Sequence, residues 1–146
     1  MVAVEVGVLE LAFEHLRGCG EGQRECVVYL TGPVDERRRI DGVVHPVHAA
    51  SAVGYEVGTK ALGELSAGLL VERRSVRAQM HTHPGAAYHS SIDDGGALLG
   101  TPGFLSIVIP DFALGPVGLA GAFLAELTRE GTWEALDIAT RLEVRR

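Results

Sequence analysis

Residues 75–94 read SVRAQMHTHPGAAYHSSIDD, and the rest of the chain is arranged around them. Residues 75–82 alternate as a strand does, with Val76, Ala78 and Met80 on one face and Arg77, Gln79 and His81 on the other. His83 follows two positions after His81, so both imidazoles leave the strand end on one side. Pro84-Gly85 punctuates a loop. Ser91 then stands as an N-cap with acidic residues behind it, and the pattern predicts a short helix from about Ile92.

The neighbouring segments fall into place around this strand. Residues 5–17 carry Leu9, Ala12, Phe13 and Leu16 at helical spacing, with Gly18 and Gly20 expected to stop the helix. ECVVYLT, residues 25–31, reads as a strand ended by Gly32-Pro33. Residues 40–47 predict a second strand. Residues 55–72 predict a helix with Val57, Ala61, Leu62, Leu65 and Leu69 on one face. FLSIVI, residues 104–109, is apolar throughout and reads as a central strand. Segments 117–128 and 132–138 read as an antiparallel pair around Arg129-Glu130-Gly131, the first with a helical alternative. The fold class expected is α+β, a single domain over residues 1–146 with a mixed sheet and at least two flanking helices.

Composition narrows the function classes. A formal net charge of -6 argues against a nucleic-acid surface. Arg37-Arg38-Arg39 is the one basic run, and Asp35, Glu36 and Asp41 flank it, as in a solvated loop. The N-terminus lacks the basic start of a signal peptide, and the apolar stretch near 112–125 is broken by Pro116 and three glycines. Neither a membrane nor a nucleic acid is therefore expected as a partner. Cys19 and Cys26 show neither metal-ligand spacing nor a disulfide framework, so reduced thiols in a cytoplasmic setting are expected.

The polar cluster carries the chemistry. Two imidazoles on one face can share an ion, and Asp94 heads the helix just past the loop as a third ligand. Two histidines and a carboxylate leave a fourth tetrahedral position open for water, the pattern of a catalytic zinc site. Zinc lowers the pKa of such a water to about 7. Taken singly, the residues have plainer readings: an exposed loop histidine for His89, a helix cap for Ser91 and a first-turn acid for Asp93. Their joint spacing is what is restrictive.

HTHPGAAYHSSIDD resembles the signature of the JAB/MPN metalloproteases, also called JAMM proteases, H-x-H-P-x(6)-S-x-x-D, at all five fixed positions. The resemblance implies the cytidine-deaminase-like JAB/MPN fold, a curved mixed sheet flanked by helices. It implies one zinc ion with a bound water, held by His81, His83 and Asp94, and an oxyanion-stabilising role for Ser91. It also implies an upstream glutamate that exchanges protons with the water and the leaving amine. ECVVYLTG, residues 25–32, fits the family's E-x-x-G-x-L-x-G strand at Glu25, Leu30 and Gly32, with Val28 in place of the middle glycine. Glu25 is thus the expected base, and Glu21 and Glu36 are rivals without a strand to position them.

The activity so implied is cleavage of isopeptide or peptide bonds at the C-terminal glycine of ubiquitin or a ubiquitin-like protein. The loop is similar to bacterial forms found in operons with ubiquitin-like activating and conjugating enzymes, some linked to phage defence. Processing of a sulfur-carrier protein is an alternative on the same site, and a non-catalytic scaffold of the same fold is another. A thiol hydrolase using Cys26 and His89 is disfavoured, because Cys26 follows Glu25 in a strand and points away from whatever Glu25 faces.

Overall fold

The computed structural model describes residues 1–46, 48–88 and 101–146. Strand β1 (Val2–Glu5) runs directly into helix α1 (Val6–Gly20). Leu9, Ala12, Phe13 and Leu16 are all buried on one side of α1, as their spacing requires. The helix runs through Gly18 and ends where Glu21 takes a left-handed conformation, φ 51°, with its N–H on the Arg17 carbonyl. Glycine at 18 therefore weakens the helix without stopping it, because packing of the apolar face outweighs local propensity.

Strands β2 (Val27–Pro33), β3 (Arg39–Ile40), β4 (Gly42–Val44), β5 (Ala49–Ser51) and β6 (Gly54–Glu56) follow, then α2 (Thr59–Val71), β7 (Arg74–Thr82) and β8 (Leu105–Ile109). The chain closes with β9 (Phe123–Leu127), β10 (Trp133–Leu136), α3 (Ile138–Arg141) and β11 (Leu142–Arg145). A six-stranded sheet has the order β10-β9-β8-β7-β2-β4, with β7 and β8 parallel and its other pairs antiparallel. The sheet is mixed, as expected for this α+β chain, and β8 lies inside it with all five residues buried.

Several expectations are corrected. Residues 55–72 are not all helix: Gly54–Glu56 pairs with Ala49–Ser51 as a hairpin, and α2 starts only at Thr59. The strand expected over 40–47 breaks at Asp41 into β3 and β4, which join different sheets. Gly32-Pro33 continues β2 instead of ending it, with Pro33 opposite Arg74. Residues 117–122 lie outside β9, and the C-terminal LEVR segment is a strand parallel to β1. The expectation of reduced thiols also fails: Cys19 and Cys26 are joined in a disulfide, with Cα atoms 6.2 Å apart. The turn after α1 folds the chain back, so two positions without motif spacing meet in space. The short helix expected from Ile92 lies outside the described residues.

The sheet has two buried faces. One packs on α1 and carries Cys26, Val28, Leu30, Ala78, Met80, Leu105, Ile107 and Leu124. The other carries Val27, Tyr29, Gln79, His81, Ser106 and Val108 by strand alternation, all buried. Burial pushes the Tyr29 phenol up to about 12, so it stays neutral. Among the described residues, no helix is long and apolar enough to cross a membrane.

Gly32 sits where β2 meets β3, and a Cβ there would fall 2.0 Å from the Arg39 carbonyl oxygen. Gly63 in mid-α2 is exposed with open space around it. Gly32→Ala is predicted to cost about 1–3 kcal/mol in denaturant melts through overpacking against backbone. Gly63→Ala is predicted to gain about 0.5–1 kcal/mol. Equal effects of the two changes would refute this assignment of close approach.

Candidate metal centre

The site is built on the β2–β7 pair. Val27 pairs with His81. Beyond that pair, the Thr82 N–H donates to the Cys26 carbonyl at 3.1 Å, and the Cys26 N–H donates to Thr82 Oγ1 at 3.0 Å. Continuing this antiparallel register one residue further places Glu25 across from His83. Opposed residues of such a pair share a face. Glu25, Val27, His81 and His83 therefore lie on one side of the sheet, and Cys26 and Thr82 on the other. This disposes of the Cys26 thiol-hydrolase reading, since the residue faces α1 and is bonded to Cys19.

Three chemically active groups are thus gathered in a dry place. His81 is 0%, His83 3% and Glu25 6% exposed. The two imidazole rings lie 5.3 Å apart, centroid to centroid. Tyr55 of β6 stacks at a tilt on His81 at 5.3 Å, and Tyr88 meets His83 edge-on at 4.7 Å. The β5–β6 hairpin also accepts the Glu25 N–H on the Ser51 carbonyl at 2.7 Å. One hairpin therefore holds the backbone of the glutamate and covers a histidine. Deeper on the same face, Gln79 Nε2 donates to Ser106 Oγ at 3.1 Å.

His83 lies past the end of β7 but is not loose. Its N–H donates to the Ile109 carbonyl at 2.9 Å, and its carbonyl accepts the Phe112 N–H at 2.8 Å. Phe112 belongs to a turn, Asp111–Ala113, in which three successive non-glycine residues have φ between 53° and 61°. Such residues cost free energy and persist only where surroundings over-determine them. Arg17 of α1 supplies part of that constraint by donating from Nε to the Ala113 carbonyl at 2.6 Å and from Nη2 to the Gly115 carbonyl.

Of the residues expected from sequence, the structure brings His81, His83 and Glu25 together. Asp94, Ser91, His89 and Asp93 lie outside the described residues. Buried imidazoles beside a buried carboxylate are a donor set that suits zinc, which takes nitrogen and oxygen ligands in a tetrahedral site. Sequence reading missed Tyr55, Arg17 and the left-handed turn. It treated position 55 as helix, and nothing in DFA, residues 111–113, announces positive φ.

The fold is that of known JAB1/MPN domain proteins. The crystal structure of one from Archaeoglobus fulgidus matches over 99% of this chain and 97% of its own, with TM-score 0.53 and 17% identity. Solution structures of proteins from Desulfitobacterium hafniense and Salinibacter ruber match with TM-scores of 0.69 and 0.60. They are 14% and 17% identical and cover 100% and 94% of this chain, and 94% and 89% of their own. No protein-family model matches the chain. A Sinorhizobium fredii protein described as probable metalloprotease y4jG is 32% identical over 130 residues, 86% of this chain and 80% of that protein. The chain belongs to the JAB/MPN metalloprotease family.

Arg17→Met removes the donors to Ala113 and Gly115 together with the guanidinium that lies 5.4 Å from the Phe13 ring centroid. Loss of charged hydrogen bonds to partly buried carbonyls is predicted to cost about 1.5–3 kcal/mol in chemical denaturation. An unchanged midpoint would show that the turn stands without the arginine.

Proposed function

We propose that this protein is a zinc metallopeptidase that cleaves the isopeptide or peptide bond at the C-terminal glycine of ubiquitin or a ubiquitin-like protein. The observation that carries the reading is the placement of a buried carboxylate, Glu25, on the same sheet face as buried His81 and His83. Membership of a metalloprotease family supports it. His81, His83 and Asp94 would hold the metal. When bound, zinc would polarise the scissile carbonyl and acidify a water at neutral pH.

The remaining steps belong to the chain's own side chains. Glu25 takes the proton of the attacking water and returns one to the leaving amine. Its near-complete burial excludes bulk water from that exchange, and the Ser51 carbonyl fixes its backbone. Ser91 donates a hydrogen bond to the oxyanion that forms as the carbonyl carbon becomes tetrahedral. Tyr55 packs on the His81 ring, and the constrained turn after β8 holds the His83 backbone. An extended glycine-terminated tail would lie along the sheet edge and present its last carbonyl to this face. The setting proposed is the bacterial cytoplasm, with activating and conjugating enzymes of the same operon as partners.

Glu25→Gln is predicted to keep stoichiometric zinc and lose about 10²–10⁴ of turnover on a ubiquitin-like conjugate. His83→Ala is predicted to lose that zinc, and Ser91→Ala to keep it and slow turnover by about 10²–10³. Metal analysis and single-turnover cleavage check all three, and an active Glu25→Gln would remove the base from its role. Cleavage of short C-terminal extensions alone, never of lysine-linked conjugates, would redirect the substrate to a sulfur-carrier precursor.

A further inference from the structure

On the opposite face of the sheet, behind Glu25, five side chains of metal-ligating type converge. His15 and Cys19 lie one helical turn apart on α1, Cys26 immediately precedes β2, and His45 and His48 lie between β4 and β5. The ligating atoms of Cys19, Cys26 and His48 all lie within 4.8 Å of one another. Cys26 is fully buried, and Cys19 and His48 are half-buried. We propose that Cys19, Cys26 and His48, once their disulfide is reduced, form a second metal site for a soft divalent cation such as zinc.

The imidazole is already set for this role. His48 Nδ1 lies 2.8 Å from the Pro46 carbonyl, which can only accept. The neutral ring therefore carries its proton on Nδ1 and turns the Nε2 lone pair toward Cys19 Sγ, 3.4 Å away. A backbone carbonyl holding the second nitrogen is the arrangement that orients histidine ligands at metal sites. His45 stacks on His48 at 5.2 Å and His15 on His45 at 5.1 Å, so imidazole is at hand for the fourth position. Two thiolates and imidazole nitrogen are the donor set of tetrahedral zinc.

The disulfide and the metal exclude each other. A dithiol reductant transfers two electrons and two protons to the disulfide, giving two thiols and the oxidised, cyclic form of the reductant. Binding of the divalent cation then displaces both thiol protons as the thiolates coordinate. Either state ties the end of α1 to the start of β2, next to Glu25.

Cobalt(II) alone, added to dithiothreitol-reduced full-length protein, tests this. The result expected is a near-ultraviolet thiolate-to-cobalt charge-transfer band, which saturates at one equivalent per chain once His83→Ala removes the other centre. A His/carboxylate centre lacks the sulfur to give it. The band should persist in His83→Ala and be absent from oxidised protein and from Cys19→Ser. In His48→Ala its affinity should fall by more than about tenfold. If Cys19→Ser does not fold, protection of both wild-type thiols from alkylation by stoichiometric zinc replaces it as the readout. No band in reduced protein with two titratable thiols, an undiminished band in His48→Ala, or a disulfide that resists reduction in the folded chain would each overturn the proposal. A band in an inactive protein leaves this site standing while the peptidase reading fails, and activity without a band does the reverse.

Discussion

The antiparallel register of β2 on β7 is the constraint on which the rest depends. Pairing Val27 with His81 brings Glu25 level with His83, although the two are fifty-eight positions apart in the chain. A slip of one residue would send Glu25 to the α1 face and Cys26 to the histidines. Two features hold the register. The reciprocal bonds between Cys26 and Thr82 lock its end, and the close approach of Gly32 to Arg39 fixes where β2 can run.

The two faces of that strand pair keep their chemistries apart. One face collects histidine and carboxylate, and the other carries Cys26, joined by a disulfide to Cys19 of α1. Cys26 and Glu25 are adjacent in sequence yet point in opposite directions, so a change in the cysteine pair reaches the glutamate only through backbone. The hairpin β5–β6 adds a second route, because it carries Ser51 and Tyr55 to the site and follows His48 directly.

Much of this was legible in the sequence where one physical signal dominated. Alternation in SVRAQMHT and the apolar run FLSIVI located β7 and β8, and the H-x-H-P-x(6)-S-x-x-D spacing located the histidines. Packing and topology hid the rest. The MVAVE and LEVRR ends are short, and they become strands by pairing with each other across the whole chain, β1 also with β3. The β5–β6 hairpin was hidden because ASAVGYEV has no strong turn dipeptide and runs straight into a helical pattern. Cys19 and Cys26 carried no motif spacing, since the turn that joins them is a tertiary product of α1 ending at Glu21.

His81 and His83, buried beside Glu25, are the proposed metal centre. Anomalous scattering at the zinc edge from crystals of zinc-loaded protein tests it most directly. The peak expected lies about 2.0–2.1 Å from one ring nitrogen of each of His81 and His83, with Asp94 as the third protein ligand and Glu25 beside the open position. Zinc-saturated crystals with no peak at His81 and His83 would contradict it.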